Sequence, residues 1–321
     1  MRRAVGYVLI GLGVFLIVLG PSIRWVIAPK LAVAPLACEP NPGYEDLCDN
    51  GVSLSPSSGV ATSLFSPATL SVRTDVSLEA NRRVRPDRPG STAAETIYDT
   101  IQEVLDGDGE LVTASQARFG FDGHTSELLD CCDANVDGEP ITEFGGVMPL
   151  KFGFNVQQQD YDYFDTTLQA ATPAVFTGTD EIDGLEVYVF EQVIEPTQIG
   201  TLEVPGDLVG SKEDSFVAPR FYGNTRTLYV EPTTGVIVNG EEQQLQTLRG
   251  PDGTDQLTII EAQLGFTDEN IANAAVNAEN GKSSLGLITT TIPLVALVLG
   301  VLLAGLGVFL VVGARRADAA A

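Results

Sequence analysis

The chain has 321 residues, with 43 acidic and 18 basic side chains and a formal net charge of −25. So negative a molecule argues against nucleic acid and against docking on anionic headgroups, and favours cations, basic partners or plain solubility. One histidine and four cysteines leave little for metal or redox chemistry, and no metal or other cofactor is expected.

Behind Arg2 and Arg3 comes the uncharged run Ala4–Ile23, long enough for a bilayer core that takes about 20 helical residues. It is read as an uncleaved signal anchor. Ala32-Val33-Ala34 has the small-x-small form of a cleavage site, but Pro35 would follow the cut. A second uncharged run, Leu285–Ala314, is closed by Lys282 on one side and by Arg315 and Arg316 on the other. Juxtamembrane arginines prefer the cytoplasmic side, so both termini are expected inside and the middle of the chain outside, at the plasma membrane. The expected organisation is an N-terminal anchor (1–28), an extracytoplasmic domain (29–283), a transmembrane helix (284–314) and a short cytoplasmic tail (315–321). Gly6, Gly11, Gly13, Gly20, Gly300, Gly305 and Gly307 permit close approach of the two helices. Setting aside Arg2, Arg3, Arg315, Arg316 and Asp318, which lie outside the spans, leaves 14 basic and 42 acidic residues between them.

That middle region begins with a Pro/Gly/Ser-rich lead-in over residues 29–59 and then turns to short alternating runs. Strands are expected at Ser63–Phe65 and Thr69–Val72, with Arg82–Gly90 as a charged loop. Thr96–Leu105 and Leu111–Phe121 flank Asp106-Gly107-Asp108-Gly109, a hairpin turn whose residues tolerate positive φ. The same four residues lack the glycine position and distal glutamate of a calcium loop. Further strands are expected at Leu150–Val156, Ala174–Thr177, Leu185–Ile194, Gly200–Val204, Thr227–Val230, Gly235–Val238, Gln243–Arg249 and Leu257–Phe266. Thr267 can cap a helix over Asp268–Asn280 that Gly281 would end. The fold class is therefore α+β: a mainly antiparallel, β-rich extracytoplasmic domain, barrel or sandwich, tethered by two terminal transmembrane helices.

Few residues carry candidate chemistry. Cys38, Cys48, Cys131 and Cys132 are expected to be oxidised outside the cell, with three pairings open and at least one bond using Cys131 or Cys132. His124 stands near Ser126 and Asp130, but neighbours in one turn do not make a triad, and there is no nucleophile elbow. Tyr161, Tyr163 and Phe164, in Tyr161-Asp162-Tyr163-Phe164-Asp165, are candidates for a ligand-facing aromatic strip, with core packing as the plainer alternative. No catalytic constellation is found, so no enzyme is expected.

With these pieces laid out, the chain resembles the actinobacterial porin PorA family, long described as a domain of unknown function. The resemblance spans nearly the whole chain. It rests on the run from Arg2 to Leu16, Ala28-Pro29-Lys30-Leu31-Ala32, Phe121-Asp122 with Cys131-Cys132, Tyr161-Asp162-Tyr163, Gly184–Phe190 and Leu228–Val238. It implies an actinobacterial cell-envelope protein, pore-forming or associated with transport. In layout alone, with no shared motif, the chain also looks like scavenger-receptor class B proteins, which hold a β-rich ectodomain between two spans. That second likeness implies an ectodomain that binds a lipid ligand or a protein partner, with an internal apolar tunnel. Neither span has a polar face that would line water, so a pore would require a homo-oligomer or a surface not visible in the sequence.

Overall fold

The computed structural model describes residues 2–36, 52–92 and 94–319. They divide into two compact units, residues 1–33 with 280–321, and residues 34–279.

The first unit is a pair of apolar helices. Helix α1 (Arg2–Ser22) continues through a π-helical turn (Ile23–Ile27) into α2 (Ala28–Leu31). The returning helix α4 (Ile292–Ala319) follows α3 (Asp268–Gly286) and a second π-helical turn, Leu287–Thr291. Ala4–Leu31 and the helical stretch ending at Ala314 are both long and apolar enough to cross a membrane. Pro21 and Pro293 lie beside the two π turns, where a missing N–H interrupts the regular ladder. Thr289 donates its hydroxyl to the Leu285 carbonyl at 2.7 Å and so satisfies itself within its own helix.

The two helices run antiparallel, and glycine sets their spacing. A Cβ at Gly6 would stand 2.9 Å from the Gly307 carbonyl oxygen, one at Gly13 2.6 Å from that of Gly300, and one at Gly20 2.7 Å from that of Pro293. These positions recur every seventh residue, which keeps one seam facing the partner along both helices. Without a side chain between them the backbones touch, and dispersion supplies the attraction that lipid-like side chains cannot. Gly11 and Gly305 have open space around them, so they take no part in the seam. Facing outward are Val8, Phe15, Val18, Leu299, Leu302 and Phe309, all exposed. Tyr7, on α1, and Trp25, in the π-helical turn that follows it, are also exposed and lie about 27 Å apart at 1.5 Å per residue, close to the thickness of a hydrocarbon core.

The second unit is one sheet. Among the described residues its thirteen strands are β1 (Ser53–Ser66), β2 (Ser71–Arg73), β3 (Val76–Pro86), β4 (Thr96–Asp106), β5 (Leu111–Phe121), β6 (Asn135–Val136), β7 (Glu139–Pro140), β8 (Tyr161–Asp165), β9 (Ala170–Ile182), β10 (Leu185–Pro205), β11 (Ser215–Val230), β12 (Ile237–Arg249) and β13 (Asp255–Phe266). Their order is β7-β6-β5-β4-β3-β1-β13-β12-β11-β10-β9-β8, with β2 beside β1 and the named pairs all antiparallel. The sheet curls into a half-barrel rather than splitting into a sandwich. At one end its two halves are joined by single bridges: Phe121 to Leu128, Glu127 to Val147, and Val147 to Tyr163. The rings of Phe119 and Phe164 meet edge-on across that junction, 6.3 Å apart.

Several expectations change. Arg82–Pro86 is strand, not loop, and the loop begins at Asp87. Leu150–Val156 is not a strand. It lies along the Pro232–Gly235 turn, with Phe152 N–H donating to the Gly235 carbonyl at 2.8 Å and Val156 N–H to that of Pro232 at 2.8 Å. The lead-in is shorter than expected, because β1 starts at Ser53. The Asp106 hairpin forms as expected: its carboxylate accepts from the Asp108 and Glu110 N–H groups at 3.1 and 2.9 Å, and Gly109 has φ +80°. Thr267 caps α3 through the Asn270 N–H at 3.2 Å, but Gly281 does not end the helix. Ile271, Ala275 and Ala278, at helical spacing, pack on Leu185, Val187 and Val238.

Gly13→Leu should separate the helix pair and lower the thermal stability of the purified protein, by about 1–3 kcal/mol from overpacking, whereas Gly11→Leu should leave it unchanged. Melting both variants in the same detergent checks this.

Candidate functional site

Register and burial divide the sheet into two chemically different faces. Glu79, Glu191, Gln243, Glu241, Glu261 and Gln263 are exposed on the convex face. On the concave face the apolar clusters around Leu64, Leu78 and Ile260 and around Phe152, Phe190 and Leu228 are separated by polar side chains. A strand that alternates residue by residue puts positions of equal parity on one face. By that rule Ala218, Arg220, Tyr222, Asn224, Arg226 and Leu228 of β11 share the concave face, as do Glu242, Gln244 and Gln246 of β12.

Arg226 is the centre of this belt. In register it stands between Gln192 of β10 and Glu242 of β12. Its Nη1 donates to Gln192 Oε1 at 2.6 Å, and its Nη2 to Asp165 Oδ2 at 3.0 Å and to Glu242 Oε2 at 3.2 Å. Its side chain is 12% exposed and that of Asp165 1%, so both charges are largely out of water; Glu242, at 29%, keeps some solvent. Asp165 is held from every side. Its Oδ1 accepts from the Thr167 and Leu168 N–H groups at 2.9 and 2.8 Å, and its Oδ2 from the Tyr222 hydroxyl at 3.0 Å. Asn224 Nδ2 donates to Glu242 Oε2 and to the Tyr222 oxygen, both at 3.0 Å. Gln192 Nε2 donates to the Tyr163 carbonyl and to Thr172 Oγ1, both at 2.8 Å.

The charges respond as this geometry requires. Burial pushes the Glu242 carboxyl up, but Arg226, Arg82 and the Asn224 amide together hold it below the ordinary glutamate value of 4.5. Burial opposes the charge on Arg226, and the two carboxylates more than offset it. Burial also pushes the Tyr163 hydroxyl up to about 12. That Arg82 acts on Glu242 and Tyr163 is informative, because it sits on β3 in the other half of the sheet. The curl brings the two halves within electrostatic reach. The network is a closed set of mutual partners and is suited to fixing geometry rather than to moving protons. Among the described residues no group of three or more His, Cys, Asp or Glu is placed to hold a metal ion.

A family profile described as Porin PorA matches residues 5–309. The chain belongs to the porin PorA family. It is similar to a Porin PorA of Corynebacterium resistens, 24% identical over 99% of this chain and 98% of the relative. It is also similar to a Porin PorA of Corynebacterium amycolatum, 24% identical over 76% of this chain and 77% of the relative. Membership makes this a membrane or cell-envelope protein, in keeping with its two apolar helices.

The residues singled out from sequence fall in different places. Cys131 and Cys132 are bonded to each other, while Cys38 and Cys48 lie outside the described residues. The vicinal pair fits only because position 120 is glycine, where a Cβ would stand 2.4 Å from Cys131 Sγ. Tyr163 and Phe164 are buried in packed clusters and present no open strip; Tyr161 packs edge-on against Phe152 and Phe190 at the margin of one cluster. The polar member of that motif, Asp165, is the one that joins the concave network. His124 gives its backbone N–H to Asp122. Ser126 is fully buried and Asp130 exposed. The belt itself was missed, and the available signal was the recurrence of Arg220, Tyr222, Asn224 and Arg226 at every second position.

Arg226→Met should destabilise the β domain by about 3 kcal/mol, because it leaves Asp165 buried without its counter-charge. Adding Asp165→Asn and Glu242→Gln should restore most of the loss, as read by thermal unfolding. Because Glu242 titrates lower in the fold than its ordinary 4.5, its contribution is complete above that pH and is lost as pH falls through the folded value. Glu242→Gln should therefore flatten the acid limb of a stability profile between pH 6 and 3.

Proposed function

We propose that the protein is a transport-associated component of the cell envelope, in which two helices cross the plasma membrane with both termini cytoplasmic. The β domain then lies on the extracytoplasmic side and handles a solute on its concave face. The observation that carries this reading is the distribution of charge. A transmembrane barrel needs an apolar outward band, and here the convex face exposes Glu79, Glu191, Glu241 and Glu261. Among the described residues the most continuous apolar surface is that of the helix pair. That pair has a glycine seam instead of a polar one, so its two helices line no water-filled path.

The relatives named as porins favour a second reading, in which several chains assemble a pore from their helices. Planar-bilayer recordings of the purified protein discriminate the two. No ion-selective steps are expected from the monomer; reproducible selective steps that scale with an oligomeric fraction would favour the assembled pore. A reporter fused downstream of Ala314 should be active only in the cytoplasm, and an extracytoplasmically active fusion would overturn the topology.

A further inference from the structure

The arginines of the concave face are compensated unequally: Arg73, opposite Leu64, pairs with Asp106 at 2.8 Å. Arg226 has two carboxylates. Arg220 directs Nε and Nη2 at a single neutral oxygen, Gln246 Oε1, with the Nε contact at 3.0 Å. Arg82 does the same to Gln102 Oε1, at 3.2 and 2.8 Å. Among the described residues neither makes an ion pair. A guanidinium has five donors, and a charge drawn out of water against a neutral amide is under-compensated. Burial accordingly pulls Arg220 below the ordinary arginine value.

The sheet is open beside Arg220. Pairing between β10 and β9 stops at Gln192, so residues 193–204 are bonded along one side to β11 and form a free edge. Two register shifts fall within this stretch, as edges of curled sheets commonly show. Thr197, Gly200 and Leu202 stand opposite Tyr222, Arg220 and Ala218. Tyr222 and Ala218 are buried, yet their partners on β10 are exposed, Leu202 by 40%. The residue directly beside Arg220 is Gly200, where an added Cβ would meet nothing within 4 Å.

We propose that Arg220, steadied by Gln246 and reached across the free edge of β10 at Gly200, binds a phosphate oxyanion. Arg82 with Gln102 repeats the same unit at a second position on the concave face. The planar fork suits two oxygens at once, which a lysine would not offer. The anion is carried either by a free solute or by the headgroup of an amphiphile. The site deepens the reading that the concave face handles the solute, but its test is independent of conductance and topology.

The test is calorimetric titration of the full chain in a zwitterionic-lipid nanodisc with inorganic phosphate and, separately, with hexyl phosphate. Saturable binding is expected and should weaken at least about tenfold in Arg220→Gln. It should be unchanged in Arg83→Gln, which removes a convex-face arginine paired with Glu103. Tighter binding of hexyl phosphate than of phosphate identifies an amphiphile as the source, and equal binding identifies a free solute. If Arg220→Gln does not fold, Arg220→Lys keeps the charge but loses the fork, and should still weaken binding severalfold. Absence of saturable binding by either probe would overturn the proposal. So would wild-type affinity in a folded Arg220 variant, or equal loss in Arg83→Gln.

Discussion

The β domain depends on a charge placed where water does not reach it well. Arg226 is tolerable on the concave face only because Gln192 and Glu242 flank it in register and Asp165 arrives from β8. Each partner comes from a different strand, so the network fixes β8, β10, β11 and β12 together. A slip of one residue would turn Arg226 to the convex face and leave Asp165 buried without a cation, at a cost of several kcal/mol. Apolar packing alone would accept several arrangements of a long sheet. The buried charges accept one.

The molecule carries two kinds of surface. Convex-face glutamates keep the sheet in water, while the helix pair exposes valine, leucine and phenylalanine fit for lipid. Between the helices neither water nor lipid enters, because glycine at every seventh position lets the backbones close on each other. The chain belongs to a porin family, and its two helices are long and apolar enough to cross a membrane.

Closure of that interior is uneven. At one end, bridges through Val147 and the Phe119–Phe164 contact join the two halves of the sheet. The vicinal disulfide sits close by, over Gly120 on β5. Farther along, β10 runs on beyond the end of its pairing with β9, and residues that belong to the concave face become exposed. A half-barrel of this kind has a fixed wall and an accessible edge, the combination that a polar binding surface requires.

Amino-acid sequence alone determined the two apolar spans, the β-rich class, the Asp106 and Pro232–Gly235 turns and the Thr267 cap, because each rests on local chemistry over a few residues. Strand lengths were legible only where the concave face is apolar. Arg82–Pro86, Arg220–Arg226 and Asn239–Glu242 escaped notice because polar residues occupy both faces there, and alternation, the signal of a half-buried strand, disappears. Gly6, Gly13 and Gly20 could be seen in the sequence, but Gly11 looked equivalent until the antiparallel pairing assigned it to the outer side. The meeting of Asp165, Gln192, Arg226 and Glu242 was decided by tertiary structure alone. It joins residues up to 77 positions apart: strand register sets Gln192 and Glu242 beside Arg226, and the curl of the sheet brings in Asp165 from β8.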